Sequence, residues 1–191
     1  MKNKATRLPI PEKFNVRDGL QSMEISYRWM SPLFYFLIFF VIVWLGFLAF
    51  WYTMVFAMPM EDNFSLLFAI FPVFHVAIGL GLAYYTLCGF LNTTYIKVDH
   101  REIDISFAPL PFLGAKNLST ADIEQLFVRE KVTKGKNGTR ITYQVDAILT
   151  TGKSTALVKG FSDAQQAQYI EQKIERFLDI KDEEVHGEYR R

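Results

Sequence analysis

The side chains with the clearest chemical potential are three histidines and one dense polar cluster. His75, His100 and His186 fall in a predicted membrane helix, a turn and a tail, so they do not form one predicted metal site. The cluster Asp99–Glu102 contains two carboxylates beside an imidazole and a guanidinium, which are groups used in acid–base catalysis. Polar residues in a short hairpin turn are more often solvated, so this cluster favours a turn over a catalytic site.

Sequence signatures of common enzymes are absent. The chain has no G-x-x-x-x-G-K-[ST] phosphate loop, no G-x-G-x-x-G turn, no H-E-x-x-H helix and no G-x-S-x-G elbow. The single cysteine, Cys88, cannot form an internal disulfide or a cysteine-based zinc site. The sequence therefore predicts a protein that is not an enzyme, with no catalytic residues, no cofactor and no metal.

Two sets of residues are candidates for binding. The first surrounds a predicted hairpin turn and consists of Lys131, Lys134, Lys136 and Arg140. Counting strands outward from the membrane places that turn far from the bilayer, so we expect it to bind a partner protein. The second set, Phe112, Leu113 and Lys116, lies in an apolar loop near the bilayer by the same count. These residues either contact the lipid interface or complete the domain core.

His75 is the ionisable residue of the apolar segments. It lies about 11 residues into the second predicted helix, near the bilayer midplane. An ionisable group at that depth is a candidate for proton transfer or metal binding. The alternative, which we favour because no acidic residue or second His accompanies it, is a neutral imidazole hydrogen-bonded inside the helix pair. One acceptor available to it is the Phe68 carbonyl, which Pro72 leaves without a helical donor.

These residues must be positioned by a membrane hairpin over residues 31–92. From Trp29 to Met60, and again from Asn63 to Ile96, the chain has no Asp, Glu, Lys or Arg. Each run exceeds the roughly 20 residues that cross a hydrocarbon core. We predict helices over about 32–58 and 64–91.

The charges beside the helices predict their orientation. Lysines and arginines flank both outer ends of the hairpin, whereas the turn between the helices has none. The positive-inside rule then places both termini in the cytoplasm. Small residues predict where the helices pack, and they could equally serve a second copy in a homo-oligomer. They are Ala49, Thr53 and Ala57 on the first helix, and Gly79 and Ala83 on the second, where His75 lies one further step along the same stripe.

The soluble part of the chain shows strand patterns on both sides of the hairpin. We predict a flexible segment over 1–13, two strands within 14–30, a domain over 93–180 with five strands and a C-terminal helix, and a polar tail over 181–191. Seven antiparallel strands capped by a helix is the pleckstrin-homology (PH) architecture. The predicted fold is thus a PH-like antiparallel sheet or barrel, with the membrane hairpin inserted between strands 2 and 3.

The balance of charges argues against nucleic acid as a partner. Residues 93–191 contain 15 basic and 15 acidic side chains, so the domain lacks the basic surplus of a nucleic-acid-binding protein.

Four features of the chain resemble those of a group of uncharacterised bacterial membrane proteins with PH-like cytoplasmic domains. They are the order of the two membrane helices, the residues Asn92-Thr93-Thr94-Tyr95 at the start of the following strand, the strand over 123–130 and the turn Lys136-Asn137-Gly138-Thr139. The resemblance implies a multi-pass protein of the bacterial inner membrane, and it transfers no catalytic or ligand-binding residue.

Together these observations predict a membrane-anchored, non-enzymatic interaction module. It would recruit or help assemble a partner protein or membrane complex at the cytoplasmic face. Two alternatives are an anionic-lipid-sensing PH-like domain and an intramembrane enzyme or transporter that uses His75.

Overall fold

The computed structural model describes residues 8–57, 67–68, 70–135, 138–181, 183, 185 and 187–189. The chain forms two compact units. One contains residues 28–92, and the other combines the residues up to Tyr27 with those from Thr93 onward.

Two helices of the first unit are long and apolar enough to cross a membrane. α1 spans Pro32–Phe56 and α2 spans Val73–Leu91. Ser31 occupies the N-cap position of α1 in an extended conformation, and Pro32 begins the helix as predicted. At the same end of the unit, the backbone N–H of Trp29 donates to the Asn92 carbonyl over 3.2 Å, so the residues just before α1 and just after α2 are joined.

The second apolar segment differs from the single helix predicted over 64–91. Its described residues before α2 are helical, and a turn at Phe71 and Pro72 separates them from α2. Proline has no N–H and its ring clashes with the carbonyl four residues earlier, so the regular helix is interrupted there. The predicted turn over 61–63 lies outside the described residues.

The two helices pack large side chains of α1 against small residues of α2. The buried residues of α1 recur at every seventh position and are Phe34, Val41, Leu48 and Val55. Those of α2 are Gly79, Thr86, Cys88 and Gly89. The predicted contact stripe Ala49, Thr53 and Ala57 is exposed, so that part of the prediction is wrong, whereas Gly79 is buried as predicted.

The second unit begins with a five-stranded sheet in the order β1-β2-β3-β4-β5. The strands are β1 Asn15–Asp18, β2 Ser22–Arg28, β3 Thr93–Asp99, β4 Glu102–Ala108 and β5 Lys116–Ser119. Along the chain, α1 and α2 stand between β2 and β3, which are neighbours in this sheet. The β1–β2, β3–β4 and β4–β5 pairs are antiparallel.

β5 was missed in the sequence, where 108–118 was predicted to be an irregular loop. Its four residues pair with β4, for example Leu118 with Ile103. The described residues thus form eight strands rather than seven.

The remaining three strands form a separate sheet in the order β6-β7-β8. β6 spans Ile123–Gly135, β7 spans Gly138–Leu149 and β8 spans Ser154–Phe161. β6 and β7 form an antiparallel hairpin, and its pairing continues from Ile123 opposite Leu149 to Gly135 opposite Gly138.

The closing helix α3 spans Ala164–Leu178. Its N-cap is Asp163, whose carboxylate accepts a hydrogen bond from the Gln165 backbone N–H over 2.9 Å. Aspartate is among the residues preferred at this position, because its short carboxylate reaches the backbone N–H groups of the first helical turn. The predicted apolar stripe of α3 enters the core through Ala167, Ile170 and Ile174.

One hydrophobic core joins the sheets and α3. Phe14, Met23 and Ile25, which precede the membrane helices in the chain, belong to the same core as residues from β3 to α3. Ile25 and Ile170 are completely buried. The unit therefore requires both halves of the interrupted chain to complete its interior.

An aromatic cluster closes one side of this core and contains a tyrosine with a shifted pKa. The ring of Tyr27 lies 5.4 Å from Phe14 and 5.6 Å from Phe161. Burial raises the pKa of Tyr27 to about 12, although a hydrogen bond with the Thr94 side chain partly opposes the shift. Desolvation disfavours the tyrosinate form.

We expect the sheet unit to lose stability as the pH rises from 10 to about 12. In that range Tyr27 ionises in the unfolded chain but keeps its proton in the folded chain, so ionisation favours the unfolded state. The total loss in the free energy of unfolding is on the order of 2 kcal/mol. Tyrosinate absorbance and circular dichroism would be followed together during alkaline titration. Tyr27→Phe should remove the part of the loss that this residue causes, and an identical alkaline profile in that variant would contradict the assignment.

Candidate functional site

The β6–β7 hairpin extends beyond its neighbouring strand. β8 pairs with β7 only from Tyr143 to Ile148, so residues 131–135 and 138–142 form a two-stranded ribbon. β8 ends there because a register shift skips Gly160, whose φ of 90° bends the strand, and the chain then enters α3. We call residues 131–135 and 138–142 the ribbon.

Strand pairing in the ribbon separates the predicted basic cluster onto two faces. Lys131 lies opposite Thr142, and Arg140 lies opposite Thr133. These pairs share one face, because side chains two residues apart along a strand point the same way. Lys134 belongs to the other face, opposite Thr139, and Lys136 lies outside the described residues. The structure therefore brings Lys131 and Arg140 together, but not Lys134.

The face that contains Lys134 also has an apolar pair. Val132 lies opposite Ile141, and their exposed fractions are 49% and 45%. The same face continues into the core through Val128 and Val145, which are completely buried. Between these two pairs, Glu130 lies opposite Tyr143 on the same face, so the apolar residues are continuous along β7 but are interrupted by Glu130 along β6. Val132 and Ile141 were not among the residues predicted for binding, although both lie at equal distances from the hairpin turn.

The charge of the ribbon is uniformly positive. Residues 131–142 include Lys131, Lys134, Lys136 and Arg140 and no acidic residue. All described residues of the ribbon except Thr142 are exposed. Such a surface attracts acidic groups and repels a copy of itself.

An ion pair anchors the base of the ribbon. The Arg129 Nε lies 2.9 Å from Oδ2 of Asp146, which is 3% exposed. The N–H is not aimed at that oxygen, so the contact is an ion pair rather than a linear hydrogen bond. Oδ1 of Asp146 accepts a hydrogen bond from the Gln144 amide over 2.7 Å. The charge of Arg129 is thereby compensated, whereas Lys131, Lys134 and Arg140 form no ion pair within the described ranges.

The C-terminal segment packs beside the same base. The Tyr189 backbone N–H donates to the Val128 carbonyl over 2.7 Å, and the Tyr189 ring lies 4.8 Å from Tyr143. Within the segment predicted to be a polar tail, Tyr189 is thus attached to β6.

The second predicted site, the loop before β5, is only partly exposed. Phe112 is half-buried and meets Phe107 edge-to-face at 6.0 Å. The Lys116 ammonium donates to the Ala156 carbonyl over 2.7 Å, so it connects the two sheets. Leu113 is 92% exposed. Of the three residues predicted for a lipid interface, Leu113 alone has its side chain largely in solvent.

The predicted polar turn between β3 and β4 has a structural role. Oδ1 of Asp99 accepts hydrogen bonds from the backbone N–H groups of Arg101 at 2.6 Å and Glu102 at 2.8 Å. These bonds lower the pKa of the Asp99 carboxyl. The His100 ring stacks on Phe177 of α3 at 5.2 Å. The carboxylate and imidazole therefore fasten the turn.

A groove of about 630 Å³ lies between this turn and the β1–β2 turn. Its acidic side chains contact groups of the protein itself: Asp18 pairs with Lys173 at 2.6 Å, and Glu24 lies 3.8 Å from Arg17. Within the described ranges, no three His, Cys, Asp or Glu side chains are grouped so that they could hold a metal ion.

Two tryptophans of α1 bond to carbonyls of the second apolar segment. Trp51 Nε1 donates to the Phe68 carbonyl and Trp44 Nε1 donates to the His75 carbonyl, each over 3.3 Å. The carbonyl that Pro72 leaves without a helical donor is therefore satisfied by Trp51. The His75 imidazole, for which this carbonyl was one available acceptor in the sequence, does not bond it.

His75 itself lies among aromatic rings. Its imidazole stacks on Trp44 at 5.9 Å and lies 5.4 Å from Phe71. Its Nδ1 is buried and has no hydrogen-bond partner among the described residues. The imidazole is therefore packed as an aromatic ring.

Trp51→Phe should destabilise the helix pair more than the matched variant Trp44→Phe. Trp51→Phe removes the indole N–H that donates to the Phe68 carbonyl, a group to which Pro72 offers no helical N–H, and costs about 1 kcal/mol. The His75 carbonyl keeps its helical donor when Trp44 is replaced. Hydrogen–deuterium exchange of α2 amides would compare the variants. Adding Pro72→Ala supplies a backbone N–H at residue 72 and should reduce the effect of Trp51→Phe. If Trp51→Phe causes the same loss of amide protection with and without Pro72→Ala, the Phe68 carbonyl is not the cause of the destabilisation.

Comparison with models of known protein families, and with curated proteins, finds no match to this chain.

Proposed function

We propose that this chain is a membrane-anchored, non-enzymatic interaction module that recruits or helps assemble a partner protein or membrane complex. In this proposal the chain is a multi-pass protein of a bacterial inner membrane with both termini in the cytoplasm. The two apolar helices would anchor the sheet unit, which we propose is a PH-like domain interrupted by the hairpin. The arrangement of two antiparallel sheets and a closing helix supports that fold.

The observation that favours a binding function most is the ribbon. It extends beyond β8, exposes Val132 and Ile141, and has on both faces cations that form no ion pair with any residue the structure describes. An exposed apolar pair within a charged rim is typical of a protein-binding surface. The polar groups of the Asp99 turn and the Asp18 groove instead contact the protein itself, which supports a binding role over a catalytic one.

The test is capture of partners by the tagged full-length protein from its native membrane. Reversing the charges of one ribbon face, with Lys131→Glu and Arg140→Glu, should reduce the captured partner by at least about tenfold, because like charges would then face each other. The matched control is Lys153→Glu with Lys159→Glu, which makes the same charge change at exposed positions on and before β8. The control should capture the partner normally.

Equal capture by both double variants would show that the ribbon is not the docking surface. Consistent recovery of the protein alone from gently solubilised membranes would count against an interaction module altogether. Circular dichroism of each variant would confirm that its fold is retained.

Sensing of anionic lipid is a second candidate function, favoured by the exposure of Leu113. Because Lys116 is bonded within the domain, this role would depend on Leu113 more than on the lysine. Flotation of the full-length protein with anionic and neutral vesicles tests it: Leu113→Ser should weaken lipid enrichment, and an unchanged preference would remove this candidate.

A further inference from the structure

The ribbon has an open strand edge. β8 leaves β7 at Tyr143, so residues 138–142 of β7 have a paired strand on the β6 side alone. Gly135 and Gly138 pair on either side of a two-residue connection. In such a hairpin the residues that flank the connection form hydrogen bonds with each other through their backbone N–H and C=O groups. Alternation then turns the N–H and C=O groups of Arg140 and Thr142 toward β6. Those of Thr139 and Ile141 point to the open edge.

The opposite edge of the hairpin is less accessible. The outward carbonyl of Val128 on β6 already accepts a hydrogen bond from Tyr189, and the Tyr189 ring packs on Tyr143. In the described part of the chain, no hydrogen bond occupies the outward groups of Thr139 and Ile141. The β7 edge is therefore the better position for an added strand.

Charge determines what can occupy this edge. A second copy would place Lys131, Lys134 and Arg140 near the same residues, and lysines on an edge commonly oppose such self-pairing. An acidic segment would be attracted to the same cations. The chemical character of the edge thus favours a partner over another copy of this chain.

The two faces of the ribbon specify the pattern of that segment. A strand added beside β7 alternates its side chains between the same two faces. On one face they would lie beside Arg140, with Lys131 on the next strand, and on the other beside Ile141, with Val132 on the next strand. Acidic residues suit the first face and apolar residues suit the second.

We propose that the partner contributes an extended segment of alternating acidic and apolar residues, which pairs with β7 at Thr139 and Ile141 as an additional strand. The segment needs about four to five residues, because the open edge covers 138–142. Main-chain hydrogen bonds provide affinity and the alternating side chains provide selectivity. This inference rests on the proposed function, since it identifies the kind of partner that the ribbon recruits.

The experiment uses the full chain in nanodiscs and three fluorescent synthetic peptides. The first is Thr-Glu-Val-Glu-Val-Glu-Thr, the second has the same composition in blocks, Thr-Glu-Glu-Glu-Val-Val-Thr, and the third replaces each Glu of the first with Lys. Fluorescence anisotropy should show that the alternating acidic peptide binds at least about tenfold more tightly than either of the others. Its affinity should decrease as salt is added.

Two variants at one position test the edge itself. Thr139→Pro removes the outward N–H without disturbing the ladder to β6 and should weaken binding of the alternating peptide by about tenfold. Thr139→Ala removes only the side chain and should bind like the unmodified protein. Equal binding of the alternating and block peptides, or unchanged binding by Thr139→Pro, would overturn the inference.

The same variants separate this inference from the proposed function. If capture of the native partner is lost with Lys131→Glu and Arg140→Glu but persists with Thr139→Pro, the ribbon is a docking surface and strand addition is wrong. If capture persists in both cases, neither holds. If both variants lose capture, and the partner captured by the unmodified protein contains such a segment, the result supports both the docking role of the ribbon and strand addition.

Discussion

Gly89→Ala destabilises the packing of α1 against α2 by about 1–3 kcal/mol, as expected for overpacking of a tight contact. A Cβ at Gly89 would overlap the ring of Phe34. That ring is 5% exposed and packs against Tyr85 at 5.6 Å and Phe90 at 6.2 Å, so it cannot turn aside without disturbing other rings. Either the ring or the helix axis must move.

The same helix provides a matched control for this prediction. A Cβ at Gly81 meets no atom within 4 Å, so Gly81→Ala should leave the helix pair unchanged or slightly stabilise it through its higher helix propensity. Tryptophan fluorescence during detergent-induced unfolding reports on this unit, because Trp29, Trp44 and Trp51 all lie within residues 28–92.

A second substitution identifies the cause of the loss. Phe34→Leu combined with Gly89→Ala should recover stability relative to Gly89→Ala alone, since the smaller side chain makes room for the new methyl group. Equal destabilisation by Gly81→Ala and Gly89→Ala would show that helix propensity or lipid packing, rather than the Phe34 contact, determines the result.

The packed face of α1 was not predictable from its composition. Nearly every residue of this helix is apolar, so hydrophobic periodicity does not distinguish the buried face from the lipid-facing one. Small residues suggested a seam at Ala49, but close approach is achieved with glycine on α2 opposite Phe34 and Trp44 on α1. Which residues meet across the pair depends on the rotation of each helix, and single-chain patterns do not determine that rotation.

The sheet unit was more predictable where local signals were strong. Alternation and the glycine-containing turn correctly predicted the hairpin formed by β6 and β7. β5 was missed because its sequence, Lys-Asn-Leu-Ser, has one large apolar residue and no β-branched residue. It forms a strand because β4 offers an open edge, which is a tertiary effect.

The sequence correctly located the basic residues of the ribbon along the chain, but it did not predict which face of the hairpin each side chain occupies. The lysines and arginine around the turn were visible in the sequence, yet their separation onto two faces requires the register of β6 against β7. The open edge of β7 likewise depends on where β8 ends, and that follows from the bulge at Gly160 and the entry into α3.

Ile25→Ala should destabilise the sheet unit by about 2–5 kcal/mol, although Ile25 precedes the membrane helices in the chain. Its side chain is completely buried in the core that also contains Ile96, Ile105 and Ile170. Truncation removes apolar contacts and leaves a cavity that a close-packed interior fills only in part. The effect should therefore extend to strands that follow the helices.

Hydrogen–deuterium exchange of the full-length protein in nanodiscs measures this coupling. Amides of β3 and β4 should exchange faster by roughly tenfold for each 1.4 kcal/mol lost, because they open together with the shared core. Leu20→Ala, at a fully exposed position in the β1–β2 turn, should leave these amides unchanged. Faster exchange confined to β1 and β2 in the Ile25→Ala protein would mean that the first hairpin is an appendage, and that the strands after α2 complete their core without it.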